Sequence, residues 1–193
     1  TEAFGLAVAE YGEEAADKLI QYHMVHGGVS RYKKFEWFFR EVLGKEITKR
    51  ELDSLGKYFK QLSFDGVMAS PLVPGAREVL EMYYPKVPMF VASGAPHDEL
   101  NLILTRKKLA GFFKEILGSP PGKAQLLQKI IDSNGLSAEN VLMVGDSSTD
   151  LEAANFCGTL YFGRGTVFEP SGKPWSEDLF GLRQYLEQQL FDV

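Results

Sequence analysis

The stretch Val141-Leu142-Met143-Val144-Gly145-Asp146-Ser147-Ser148-Thr149-Asp150 decides how the rest of the chain is understood, because an apolar run meets a glycine and then two acids. An apolar run bounded by Asn140 and Gly145 suits a strand covered on both faces. Ser147, Ser148, Thr149 and Asp150 carry side-chain oxygens that accept the unpaired amide protons of a first helical turn, so a helix is expected to begin there. Asp146 then stands at the carboxyl end of a strand, where open α/β sheets bind ligands. Two hard oxygen donors at such a place suit Mg2+, which takes one or two carboxylates plus waters and phosphate. A plainer arrangement meets the same pattern: acids near a helix N-terminus are favoured anyway, so Asp146 and Asp150 can serve only the helix start. The decapeptide alone leaves both open.

Outward from this stretch, the bulk properties set bounds. A chain of 193 residues buries a full core as one domain, or as one domain plus an insertion. Apolar residues make up 45% and charged residues 24%, with a net charge of -5, so nothing points to nucleic acid. The basic clusters Arg31-Tyr32-Lys33-Lys34 and Arg106-Lys107-Lys108 alternate with apolar residues, which fits solvated helix faces. Cys157 is the only cysteine, which excludes an intrachain disulfide and favours a reducing compartment; its neighbourhood, Ala153 to Phe156, fits a packed thiol. No run approaches the length of a membrane-spanning helix and no charged-then-apolar leader opens the sequence, so a cytoplasmic protein without a membrane partner is expected.

Residues 1–70 read as helical throughout, in four segments: Phe4 to Tyr11, Glu13 to Val25, Arg31 to Leu43 with Ser30 as its cap, and a fourth opened by Thr48 and Glu51 in capping-box spacing. Short loops between them imply a small antiparallel bundle. Pro71 to Gly75 reads as a linker, and residues 71–193 then alternate strand and helix. The expected strands are Val87 to Ser93, Glu115 to Gly118, Val141 to Gly145 and Thr159 to Phe162. The expected helices are Ala76 to Tyr84, Pro96 to Leu109, Lys123 to Ser133, Thr149 to Cys157 and Glu177 to Leu190. Such alternation gives right-handed crossovers and a parallel sheet, hence an α/β fold.

Parallel strands point their carboxyl ends one way, so three strand ends are comparable. The first ends at Ser93-Gly94, the second leads through Pro120-Pro121-Gly122 to Lys123, and the third ends at Asp146. A hydroxyl, an ammonium and a carboxylate on one edge are what a phosphoryl group with Mg2+ needs: a donor to oxygen, a cation against developing charge and an acid for the metal. Taken singly, Ser93 before glycine is a common turn and Lys123 a common solvated lysine.

Ser93, Lys123, Asp146 and Asp150 resemble motifs two, three and four of the haloacid dehalogenase (HAD) superfamily, in its phosphoglycolate phosphatase and beta-phosphoglucomutase-like branch. The resemblance runs along the whole chain. It implies a Rossmannoid parallel sheet core over 71–193 with a small α-helical bundle cap over 1–70, acting on a small phosphorylated metabolite with Mg2+. It further implies that Ser93 and the Gly94 amide hold phosphate, that Lys123 steadies nucleophile and phosphate, that Asp146 binds the metal, and that Asp150 is a ligand or orients one. The loop His26-Gly27-Gly28-Val29-Ser30-Arg31 is similar to the beta-phosphoglucomutase specificity loop. Arg31 can therefore clamp a second anionic group, since guanidinium matches phosphate bidentately; equally, Ser30 can be a simple cap and Arg31 solvated. His23 and His26 have no acids at metal-ligand spacing and are expected at the surface or in helix packing.

One motif of the resemblance is absent. The superfamily's first strand carries an aspartate nucleophile in an Asp-x-Asp pattern, and no Asp-x-Asp occurs here. Ser63-Phe64-Asp65-Gly66-Val67 is a decoy, because it continues a helical pattern and follows the cap. In the superfamily that strand is central, so the resemblance implies a place for it between the strands ending at Ser93 and Asp146, and its loss would leave a slot of roughly 10 Å with two unpaired edges. The expectation is a nucleophile-bearing strand upstream of Thr1, with the 193 residues by themselves inactive. A phosphomutase is the alternative within the class, and a non-catalytic phosphometabolite-binding or partner-binding module the alternative outside it. A receiver domain uses similar groups but places its acids first along the chain, whereas here Asp146 comes last.

Overall fold

The computed structural model describes residues 2–26 and 29–191. Contacts divide the chain between Ser70 and Pro71 into two compact units.

The first unit is helical. Helix α1 (Glu2–Ala7) continues through a 3-10 turn at Ala9–Tyr11 and is followed by α2 (Glu13–Val25). Ser30 accepts from the Lys33 amide at the start of α3 (Arg31–Trp37), which widens into a π turn over Phe38–Val42 and so ends a residue before the expected Leu43. Thr48 and Glu51 form the reciprocal capping box of α4 (Lys49–Ala69). Phe4, Val8, Leu19, Phe35, Phe38, Phe39 and Phe59 form the core.

Lys34 is buried in that core at 2% exposure. Its ammonium donates to His23 Nδ1 at 2.8 Å and lies 5.3 Å from the centre of the Phe4 ring. No carboxylate contacts it among the described residues. Burial first, and then the Lys34 charge, pushes the His23 pKa down to about 4 from 6.5. Between these values the unfolded chain binds a proton that the folded chain refuses, so stability falls as pH drops from 6.5 towards 4. We expect a loss on the order of 2 kcal/mol across that window, given His23's partial exposure. Urea midpoints measured between pH 7 and pH 4.5 check it: His23→Gln, which keeps an acceptor for Lys34, removes that part of the slope.

The second unit alternates helix and strand. Helix α5 (Ala76–Tyr83) precedes β1 (Phe90–Pro96), α6 (His97–Arg106), β2 (Glu115–Ser119) and α7 (Lys123–Ser133). Then come β3 (Leu142–Gly145), α8 (Ser148–Cys157), β4 (Leu160–Arg164), a two-residue β5 (Trp175–Ser176) and α9 (Leu179–Phe191). Every pairing is parallel. Strand β1 starts later than the expected Val87 because the Lys86 and Val87 amides both donate to the Tyr83 carbonyl, closing α5 with a turn. It also runs on to Pro96, with a register shift after Ser93, so α6 begins only at His97. Strand β4 extends to Arg164 because Gly163 and Arg164 pair with Trp175 and Ser176, a strand too short for sequence periodicity to reveal.

In place of one sheet there are two: β1 with β2, and β3, β4, β5 in that order. Among the described residues, β1 and β3 each have a pairing partner on one side only. On β3, Met143 faces a core with Leu127, Ile131, Ala153 and Tyr161, whereas Leu142 packs on the opposite face with Val79, Tyr83 and Phe162. Side chains alternating across the strand therefore meet helices on both faces. Val144, however, is 36% exposed, which departs from a strand covered on both faces. The reason is positional: β3 is an edge strand, and Val144 lies near its open end.

Candidate active site

Gly145 ends β3 and α8 begins at Ser148, so the acids of the opening stretch straddle a strand-to-helix turn. Ser147 and Asp150 form a capping box: the Ser147 amide donates to Asp150 Oδ2 at 3.0 Å and the Ser147 hydroxyl to the same oxygen at 2.6 Å. The other carboxylate oxygen, Oδ1, accepts from Lys123 Nζ at 2.5 Å. Lys123 also reaches Ser147 Oγ at 3.4 Å and Thr149 Oγ1 at 3.3 Å. The pair is enclosed, with side-chain exposures of 16% for Lys123 and 7% for Asp150. Both oxygens of Asp150 are thus engaged by protein donors. Lys123, the first residue of α7, is held by α8 across a contact of long sequence separation.

Asp146 is different. Its side chain is 64% exposed and its one ionic partner among the described residues is Arg164, whose Nη1 lies 3.5 Å from Oδ2. Beneath it, Tyr161 donates its hydroxyl proton to the Gly145 carbonyl at 3.1 Å and pins the strand end. Burial, with the Asp150 and Asp146 charges behind it, holds the Tyr161 phenol well above its ordinary pKa.

Ser93 lies on β1 opposite Gly118 of β2, at the point where the register shifts. Its Oγ accepts from the Ala95 amide at 3.1 Å, leaving the hydroxyl proton available to a ligand. Gly94 beside it is exposed, and an added Cβ would meet nothing within 4 Å. Gly118 is tighter: a Cβ there would lie 2.5 Å from the His97 Cα, so its smallness lets α6 start against β2.

The structure therefore joins Lys123 to Asp150 and places Asp146 in the same turn. Ser93 shares no hydrogen bond with that group among the described residues. Arg31 opens α3 in the helical unit, 5.2 Å from the centre of the Phe59 ring. Gly27 and Gly28 of its loop lie outside the described residues. His23 packs against Phe4, and His26 stacks on Tyr22. Cys157 donates to the Ala124 carbonyl at 3.4 Å, a packed thiol whose pKa burial raises. Sequence reasoning missed Arg164 and Tyr161; the available signal was their place on the strand after β3.

Among the described residues no cluster of three or more His, Cys, Asp or Glu side chains could hold a metal. A single exposed carboxylate still fits Mg2+, which keeps most of its waters and shares the rest of its shell with substrate phosphate. It would not fit a structural zinc, which takes four protein ligands.

A parallel α/β unit with a lysine, an acid and a hydroxyl at its strand ends defines the broad class of phosphoryl-handling α/β proteins. Within it, the family model described as haloacid dehalogenase-like hydrolase matches residues 28–163, and the chain belongs to that family. It is 25% identical over 136 residues to a phosphoglycolate phosphatase of Aliivibrio fischeri, covering 67% of this chain and 59% of that enzyme's length. It is 28% identical over 151 residues to a 5'-nucleotidase of Pseudomonas aeruginosa, covering 72% and 68%. In fold it is similar to the HAD-hydrolase YfnB of Bacillus subtilis solved with magnesium, with a TM-score of 0.72, 16% identity, and 95% and 89% of the two chains covered. None of the described helices is long and apolar enough to cross a membrane.

Proposed function

We propose that this chain is the greater part of a cytoplasmic Mg2+-dependent phosphatase acting on a small phosphorylated metabolite. The observation that carries the reading is the enclosed Lys123–Asp150 pair beside Asp146, a fixed cation next to an exposed carboxylate at a parallel strand end. Residues 71–193 are the catalytic core and residues 1–70 the substrate-selecting cap, with Arg31 offered to a second anionic group. The relatives named as a phosphoglycolate phosphatase and a 5'-nucleotidase support small phosphorylated substrates.

The roles follow from the contacts. The Ser93 hydroxyl, its oxygen already fixed by the Ala95 amide, donates to a phosphoryl oxygen, joined by the Gly94 amide. Lys123 opposes the negative charge of phosphate and nucleophile; it is positioned by Asp150, which is spent on that task and on capping. Asp146 is the carboxylate for the metal, which when bound offsets charge on the phosphoryl group. The attacking aspartate comes from a strand between β1 and β3, encoded upstream of Thr1. Among the described residues each of these strands lacks a pairing partner on one side, and with the exposed Val144 this supports the placement. The aspartate attacks phosphorus, the alcohol leaves, and water then cleaves the aspartyl phosphate.

The test is release of inorganic phosphate by the intact gene product from a generic aryl phosphate and a panel of small metabolite phosphates. Activity is expected to need Mg2+, to vanish with chelator, and to fall by about 100-fold or more in Asp146→Ala. Full activity of that variant overturns the metal assignment. Isomerised sugar phosphate without free phosphate decides for a mutase, and tight binding without turnover decides for a binding module.

A further inference from the structure

Two adjacent parallel strands end side by side at this site, and only one of their terminal side chains has a role in the reading above. Gly145 of β3 is paired with Gly163 of β4, so the next residues outward, Asp146 and Arg164, are cross-strand neighbours. Their side chains meet at 3.5 Å. The backbone of Arg164 cannot adjust: it pairs with Ser176 of β5, and the following Gly165 amide donates to the Ser176 carbonyl at 2.7 Å. The long side chain is the only part that can move. Its Nε is buried with no hydrogen-bond partner, so the guanidinium is incompletely satisfied where it now sits. Asp150 offers no alternative acceptor, since both of its oxygens are taken by Lys123 and Ser147.

We propose that Arg164 is the internal counter-cation of Asp146, occupying the carboxylate until a divalent cation displaces it and thereby weakening the affinity of the site for metal. The inference rests on the reading of Asp146 as the metal-binding carboxylate. A guanidinium and a divalent ion that share one carboxylate at close range repel one another, so loading the metal favours a swing of Arg164 away from Asp146. The freed guanidinium, with its unused Nε–H, then suits an incoming anion better than it suits the loaded carboxylate. Arg164 is in this sense a positioning residue for Asp146 and sets how much cation is needed to fill the site.

The test measures binding and needs no turnover. Mn2+, another hard ion held by oxygen ligands, is titrated into the intact gene product, and free Mn2+ is read by electron paramagnetic resonance. Arg164→Gln is expected to bind Mn2+ about threefold to tenfold more tightly than wild type, as removal of one partly exposed competing charge allows. Arg164→Lys, which keeps the charge, stays close to wild type, and raising the ionic strength narrows the difference between Gln and wild type. Unchanged or weaker binding by Arg164→Gln, while Asp146→Asn abolishes binding, overturns this inference and leaves the metal reading intact. Binding unaffected by Asp146→Asn overturns both.

Discussion

Replacing Lys123 with methionine is expected to destabilise the second unit by about 3–5 kcal/mol and to cut turnover by about 1,000-fold. The two effects share one cause. Among the described residues, Lys123 supplies the one cation paired with Asp150, whose side chain is 7% exposed. Methionine fills the volume of the lysine stem but leaves Asp150 Oδ1 buried with no charge opposite it, and an uncompensated buried carboxylate is costly. Urea unfolding of the single variant reads that cost. The double variant Lys123→Met with Asp150→Asn removes both charges while an amide oxygen remains to cap the Ser147 amide. It should recover roughly 1–3 kcal/mol of the loss, because breaking one side of a buried pair costs more than removing the pair. Turnover should not recover, since the proposed phosphate contact is absent in both. A single variant within 1 kcal/mol of wild type would show that the pair does not hold α7 to α8.

How much of this was visible beforehand differs between the elements for physical reasons. The bounds of α2 and α7, the capping box opening α4 and the polar first turn of α8 are local: amphipathic spacing and side chains bonding the amides of their own first turn. Strand ends were harder, because they depend on partners. Nothing between Val87 and Met89 reveals that the Tyr83 carbonyl takes the Lys86 and Val87 amides. Nothing in Trp175-Ser176 alone reveals that they extend the sheet beside β4.

The site shows the same division. That Ser93, Lys123 and Asp146 belong to strand ends follows from the order of apolar runs and polar residues. That Asp150 holds Lys123 is a contact between residues far apart in sequence, and no spacing rule distinguishes it from a metal-binding acid. Arg164 was hidden for a related reason: it becomes a neighbour of Asp146 only through the register of β3 on β4. Buried Lys34 belongs to a cluster whose sequence fits a solvated basic face, because a run of Arg31, Tyr32, Lys33 and Lys34 does not say which of its members turns inward to meet His23. The division into two sheets accords with the absence of an Asp-x-Asp strand from the sequence, since among the described residues β1 and β3 each lack a partner on one side.

Gly145→Ala is expected to be among the most damaging single-methyl additions in the chain, at about 2–4 kcal/mol. A Cβ at Gly145 would lie 2.2 Å from both Cβ and Cγ of Asp150 and 2.6 Å from its Oδ2. Relief needs movement of one of two fixed elements. Strand β3 is held by its pairing to β4 and by the Tyr161 hydroxyl on the Gly145 carbonyl. Asp150 is held by its capping bonds to Ser147 and by Lys123. Either shift breaks hydrogen bonds at a buried carboxylate, so overpacking is compounded by loss of the ion pair. A contrasting substitution separates this from any general intolerance of added bulk: Gly66 lies inside α4 with open space around its position, and Gly66→Ala should stabilise by about 0.5–1 kcal/mol through helix propensity alone. Urea unfolding of the two variants should therefore move in opposite directions. In the intact gene product, Gly145→Ala should also lose most phosphate release even under conditions where it remains folded, because the displaced carboxylate no longer holds Lys123. A Gly145→Ala protein within 0.5 kcal/mol of wild type would show that the β3–α8 turn has room to adjust, and the assignment of Gly145 as the residue that lets Asp150 reach Lys123 would be withdrawn.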